Sequence, residues 1–120
     1  GVSVRSFIHI DDVVEGTRRA ALHGRVGDVY HLATSDSVSI RALVERMCQR
    51  VGVSFADAVD VAPERAGKDM AYLLDTTKAR TELGWSDAVT LDRGIEETLA
   101  WVDRHLDVLK SQPVDYVHQA

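Results

Sequence analysis

The chain has 120 residues, 45% of them hydrophobic and 28% charged, with a formal net charge of -5. That is enough for one ordinary domain and too apolar for a disordered chain. The acidic balance, without any basic stripe, argues against nucleic acid as the main partner, while one or two placed arginines still suffice for a phosphate.

A single cysteine, Cys48, allows no internal disulfide and fits a reducing, cytoplasmic setting. No apolar run approaches the roughly 20 residues that a membrane span needs, and no signal peptide is visible. The sequence opens inside a structured pattern without an initiator methionine, as a piece of a longer protein would.

In chain order, Val4, Phe7, Ile8 and Ile10 form a short strand pattern with Arg5 set among them. "DVVE" then fits a capping box, with Asp12 accepting from the amide three residues on and Glu15 reaching back, and predicts a helix to about His23. "VYHLA", 29–33, predicts a second strand. Ser39 is a good N-cap for a helix whose stripe is Ile40, Leu43, Val44, Met47, Cys48 and Val51, stopped by Gly52.

"VDVAP", 59–63, predicts a short strand, "ERAGKD" a polar loop, and "MAYLLD", 70–75, another strand. Asp75 is placed to cap a small helix from Thr76 to about Leu83, with Gly84 ending it and Trp85 packing back. Thr90 caps the last long helix, whose stripe is Leu91, Ile95, Leu99, Val102, Leu106 and Leu109. The order of elements predicts a mixed α/β chain, with 1–110 as the folded unit and 111–120 as a tail.

The residues offer few sites by themselves. In "PERAGKD", arginine at 65 can fork onto phosphate oxygens, glycine at 67 allows close backbone approach, and aspartate at 69 can accept from hydroxyls or hold the arginine. By spacing alone the same loop is a solvated turn, and Arg5 alone is the exposed position of an edge strand. His9, Asp11 and Asp12 have metal-ligating chemistry, but helix capping explains the aspartates more simply, and no metal is assigned. Cys48 and Trp85 read as packing residues, and Trp101 as core or interface.

Four stretches in order carry a resemblance: "GVSVRSFIHIDDVVEG", "GDVYHLA" with "VSIRALVERM", "APERAGKDMAYLLDTTKARTELGW" and "TLDRGIEETLAWV". The chain resembles, over residues 1–103, the C-terminal part of extended short-chain dehydrogenase/reductase enzymes that act on nucleotide-sugars, the NAD-dependent epimerases and 4,6-dehydratases. The resemblance implies a small mixed α/β C-terminal, substrate-binding subdomain, with the Rossmann core lying elsewhere in a longer chain. It implies that Arg5 faces a nucleotide diphosphate, that Arg65 and Asp69 hold its nucleotide end, and that Ser39 lies near the ribose.

The same resemblance implies a nucleotide-diphosphate-sugar as substrate, NAD bound by the full-length enzyme only, and a preceding Rossmann domain as partner. Part of this chain would pack on that domain, with Val13, Val14, Thr17 and Ala21 as the candidate face. Cut free, the exposed face favours a homodimer. The chain departs from the family at Tyr30-His31-Leu32-Ala33, where members often carry Y-N-x-G, and at Arg65–Asp69, where dehydratases typically carry R-P-G-H-D.

Two signatures are absent from the sequence. No glycine-rich dinucleotide turn occurs: only Gly24 and Gly27 have the right gap, and position 30 is tyrosine. Tyr30, Tyr72 and Tyr116 are followed four residues on by Thr34, Thr76 and Ala120, so the Tyr-x-x-x-Lys pair is missing. The expectation is a chain with no catalytic residue of its own. The alternative is a non-catalytic binding or interaction module of the same ancestry.

Overall fold

The computed structural model describes residues 1–62 and 67–113. The elements run β1 (Val4–Arg5), α1 (Ile10–His23), β2 (Val38–Ser39), α2 (Ile40–Val51), α3 (Phe55–Ala58), β3 (Ala71–Tyr72), α4 (Thr77–Glu82), α5 (Leu91–Arg104) and α6 (Leu106–Lys110). The mixed α/β expectation holds.

The strands form one small mixed sheet in the order β2-β1-β3. β1 pairs antiparallel with β2, Val4 opposite Ser39 and Arg5 opposite Val38. On its other side it runs parallel to β3, Val4 opposite Ala71 and Arg5 opposite Tyr72. Arg5 therefore sits on the central strand rather than on an edge, and the ladder stops there: Phe7 and Ile8 form no strand.

Helix α1 begins earlier than the capping box predicts. Its N-cap is His9, whose ring nitrogen Nδ1 accepts the Asp11 amide at 3.3 Å. Asp12 is one turn inside the helix and buried. Its carboxylate accepts the amides of Ala88 and Val89, each at 3.0 Å, and so anchors the loop that leads into α5. Glu15 does not reach back; it binds Arg18 and Arg19. The capping-box reading is thus corrected: an imidazole supplies the local acceptor, and a distant loop takes the carboxylate.

Residues 29–33 make no strand ladder. They carry no regular structure, with Tyr30 and Leu32 packed on the core of Ala79, Leu83 and Trp85, and with Ala33 buried. Apolar packing satisfies these side chains without a neighbouring strand. Positions 59–62 also lack a ladder, and Pro63 lies outside the described residues.

The helix readings hold elsewhere. Ser39 Oγ accepts the Ala42 amide, Thr90 Oγ1 the Arg93 amide, and Gly52 ends α2 in the left-handed region at φ 73°. Thr76 is the N-cap of α4 but makes no side-chain cap bond, and Asp75 supplies the acceptor instead, taking the Thr77 amide at 2.8 Å. The last long helix breaks at His105, whose ring stacks on Trp101 with centroids 4.5 Å apart. Trp101 is 47% exposed, whereas Trp85 is fully buried.

The outer face of α1 is uncovered. Ile10 is 65% and Val14 58% exposed, with Thr17 and Ala21 exposed beside them, and Val13 half-buried. Among the described residues no helix is long and apolar enough to cross a membrane.

Candidate functional site

Arg5 ends the central strand, and its side chain reaches back to the loop that leads into the parallel strand β3. The half-buried guanidinium donates from Nη2 to the carbonyl oxygen of Asp69 at 2.9 Å and from Nη1 to that of Val4 at 2.7 Å. An arginine has five donor hydrogens in a fixed fork. Two are spent on backbone carbonyls, and the rest of the fork keeps its charge and donors for an anion. Arg5 and the Asp69 loop, separated by 64 positions, are therefore brought together.

Asp69 is exposed, and it meets Arg5 through its main chain and not its carboxylate. Gly67 stands just ahead of it at φ 77°, a left-handed backbone that glycine adopts without strain. Arg65 lies outside the described residues. Ser39 is on β2, opposite Val4 and next along the strand to Val38, the partner of Arg5. Opposed residues share a sheet face and neighbours alternate, so Ser39 projects on the Val4 side while Arg5 projects on the Val38 and Tyr72 side. The Ser39 hydroxyl already accepts a bond as helix cap.

Two further cations lie nearby that the sequence reading left unassigned. Arg41 and Lys68 line a groove of about 380 Å³ together with Ile40, Phe55 and Val61. The Arg41 guanidinium lies 4.7 Å over the Phe55 ring and binds Glu45 at 2.8 Å. A signal was available for both: Lys68 is inside the Arg-x-Gly-x-Asp loop, and Arg41 is a cation in a first helical turn, where the helix dipole disfavours one.

The metal-like cluster at the start of α1 resolves into structure. His9, Asp11 and Glu97 each offer one ligand atom within 4.8 Å of the others. His9 uses Nδ1 as the helix cap, and its Nε2 stands 3.4 Å from Glu97. Glu97 is held by Arg93 at 2.6 Å, and that hydrogen bond lowers its carboxyl below the usual range. Asp12, the third residue of the sequence reading, turns the other way, to Ala88 and Val89.

The described glycines form no dinucleotide cradle. Gly24 is the C-cap of α1, and Gly27, at φ 86°, follows it in a turn, so neither opens a helix N-terminus after a strand. The residues present do not fit NAD.

Residues 1–98 match the model of the GDP-mannose 4,6 dehydratase family. The chain belongs to this family. The chain is 37% identical over 101 residues to dTDP-glucose 4,6-dehydratase of Streptomyces niveus, covering 84% of this chain and 30% of that protein. Among solved structures, it is similar to the dTDP-glucose 4,6-dehydratase DesIV of Streptomyces venezuelae, crystallised with NAD, at 28% identity and TM-score 0.84 over 90% of this chain and 33% of that one. It is also similar to the enzyme WbmF of Bordetella bronchiseptica, crystallised with NAD+ and UDP, at 30% identity and TM-score 0.74 over 92% of this chain and 32% of that one. The chain spans about a third of the length of these relatives. As a dehydratase-family chain it is a fragment of an extended short-chain dehydrogenase, and its small mixed sheet matches the dehydratase structures over that third.

Proposed function

We propose that this chain is the substrate-binding portion of an NAD-dependent nucleotide-sugar 4,6-dehydratase, and that Arg5, Arg65 and Asp69 hold the nucleotide diphosphate. The observation that carries this reading is the bond from Arg5 to the Asp69 carbonyl. It places a fixed cation at the loop that holds the Arg-x-Gly-x-Asp residues. A diphosphate binds such a rim through charge-assisted hydrogen bonds, which are roughly twice as strong as neutral ones. Ser39, paired with Val4, keeps a hydroxyl hydrogen to offer, and the ribose is the group this reading assigns to it.

In the whole protein the resemblance assigns NAD the task of taking a hydride from the sugar and returning it after water is eliminated. This chain does not supply that chemistry. Its residues bind and orient the nucleotide, and the chain alone is inactive. The dehydratase names of the relatives favour elimination over epimerisation. We take 1–110 as the substrate-binding unit and 111–120 as a C-terminal tail, a division supported by the end of α6 at Lys110. The exposed α1 face docks on the N-terminal domain in the cytoplasmic enzyme, and in the free chain it supports a homodimer. A monomer by light scattering at high concentration would count against that last point.

The test is calorimetric titration of dTDP, UDP, GDP and CDP into the full-length protein and its Arg5→Ala and Arg65→Ala variants. A loss of tenfold or more in affinity for one of these nucleotides is expected from each substitution, the scale of a charge-assisted bond. Unchanged affinity in both variants would sink the reading and favour a non-catalytic module.

A further inference from the structure

Helices α2 and α5 face each other across a groove that none of the described residues fills. The groove has a volume of about 350 Å³ and is walled by Leu43 and Met47 from α2 and by Leu91, Ile95 and Leu99 from α5, with Phe7 beneath. One side is closed by ion pairs: Arg50 lies 3.2 Å from both Asp92 and Glu96. The groove is partly open, and Met47 in its wall is 39% exposed.

The lining says what kind of occupant fits. Small-molecule sites carry a few polar groups that orient the ligand. Here the Thr90 hydroxyl oxygen accepts the Arg93 amide and His9 Nδ1 the Asp11 amide, so both serve as helix caps, and the only other side-chain polar group of the lining is the exposed Thr98 hydroxyl. What remains is two apolar helical stripes with a hollow between them, the shape that receives the side-chain ridge of a third helix.

We propose that this groove receives an apolar helical ridge from the two-thirds of the longer protein that the relatives have and this chain does not show. The proposal rests on the reading that the chain is part of a longer dehydratase. A segment in the same polypeptide is present at an effective concentration of millimolar order, so it fills the groove ahead of a second copy.

Cysteine labelling of the full-length protein tests this. Thr98 is exposed and lines the groove, whereas Ala100 is exposed on the opposite side of α5. Maleimide reaction rates at Thr98→Cys and Ala100→Cys are read by peptide mass spectrometry, so that buried Cys48 can stay. Thr98→Cys is expected to react at least tenfold more slowly than Ala100→Cys, at every protein concentration. Met47→Cys, across the groove, is the second variant should the first fail to fold. Equal rates overturn the proposal. So does protection that vanishes on dilution, which would mean a second copy, or a full-length product no longer than this chain. Failure of the nucleotide reading would appear in the Arg5→Ala and Arg65→Ala titrations and leave this protection in place.

Discussion

Trp85 and Asp12, 73 positions apart, are joined through both parts of the aspartate residue: the indole N–H donates to the Asp12 carbonyl at 2.9 Å, and the Asp12 carboxylate takes the amides of Ala88 and Val89 just beyond the tryptophan. Both residues are buried. One turn of α1 thereby fixes the ring at the centre of the core and the approach to α5 at once.

Asp12→Ala leaves two amides without an acceptor in a partly buried loop, and should cost about 2–3 kcal/mol, since each abandoned partner forfeits on the order of 1–3 kcal/mol. Asp12→Asn keeps one acceptor oxygen and should lose about half as much. Urea unfolding followed by tryptophan fluorescence measures both. A change under about 0.5 kcal/mol in the alanine variant would mean that the carboxylate does not hold the loop.

Glycine to alanine within a helix ordinarily stabilises by about 0.5–1 kcal/mol. Gly16 should break that rule. A Cβ there would stand 2.6 Å from Leu32 Cδ1 and 3.0 Å from the Trp85 ring nitrogen, both in the packed core. Overpacking of this kind costs about 1–3 kcal/mol. At Gly94 the Cβ would meet His9 Cδ2 at 3.4 Å, an ordinary contact. Gly16→Ala should lower the melting temperature and Gly94→Ala should hold or raise it; the same sign at both positions would refute the packing argument.

Because Arg5 grips the main chain of Asp69, Asp69→Asn should leave stability within about 0.5 kcal/mol of the parent. Arg5→Ala should cost about 1 kcal/mol through the lost carbonyl bond. Amide hydrogen exchange around Met70, whose carbonyl accepts the Val4 amide, should quicken only in the Arg5 variant. Equal exchange in the two variants would show that the carboxylate, rather than the carbonyl, carries the link.

Glu15 bridges Arg18 and Arg19, and those hydrogen bonds push its carboxyl down to about 2 from an ordinary 4.5. A group whose folded value is depressed contributes stability that is complete above the unfolded value and is lost as pH falls toward the folded one. The contribution of Glu15 is thus whole above 4.5 and fades between 4.5 and 2. Glu15→Gln should flatten the loss of α1 helicity in that window, as followed by circular dichroism. An acid limb identical to the parent's would show that the pair adds nothing to stability.

Most helices were legible from local signals, the capping box at Asp12 and Glu15 being the exception. Ser39 and Thr90 cap as their types predict, Gly52 terminates α2, and of the α2 stripe Cys48 is buried while Met47 and Val51 stay exposed. Strands were legible only as apolar runs. Whether such a run joins a ladder depends on which backbone lies beside it, so 70–75 shrank to Ala71–Tyr72 and 29–33 packs against Trp85 without regular structure. The candidate site was readable as residue types in two loops; that Arg5 meets the Asp69 carbonyl, and that Ser39 belongs to the Val4 side, was not.

By itself the sequence determined the class of the chain, the caps at Ser39, Gly52 and Thr90, its family resemblance and the lack of a dinucleotide turn, because all of these are written in residue types at short spacing. Only the tertiary structure decided that Asp12 leaves its own helix end to serve Ala88 and Val89, that His9 takes over the cap, and that α2 and α5 stand apart around a groove. Hydrogen-bond donors and apolar ridges find partners by proximity in space, and a carboxylate binds whichever amides the fold brings within about 3 Å of it.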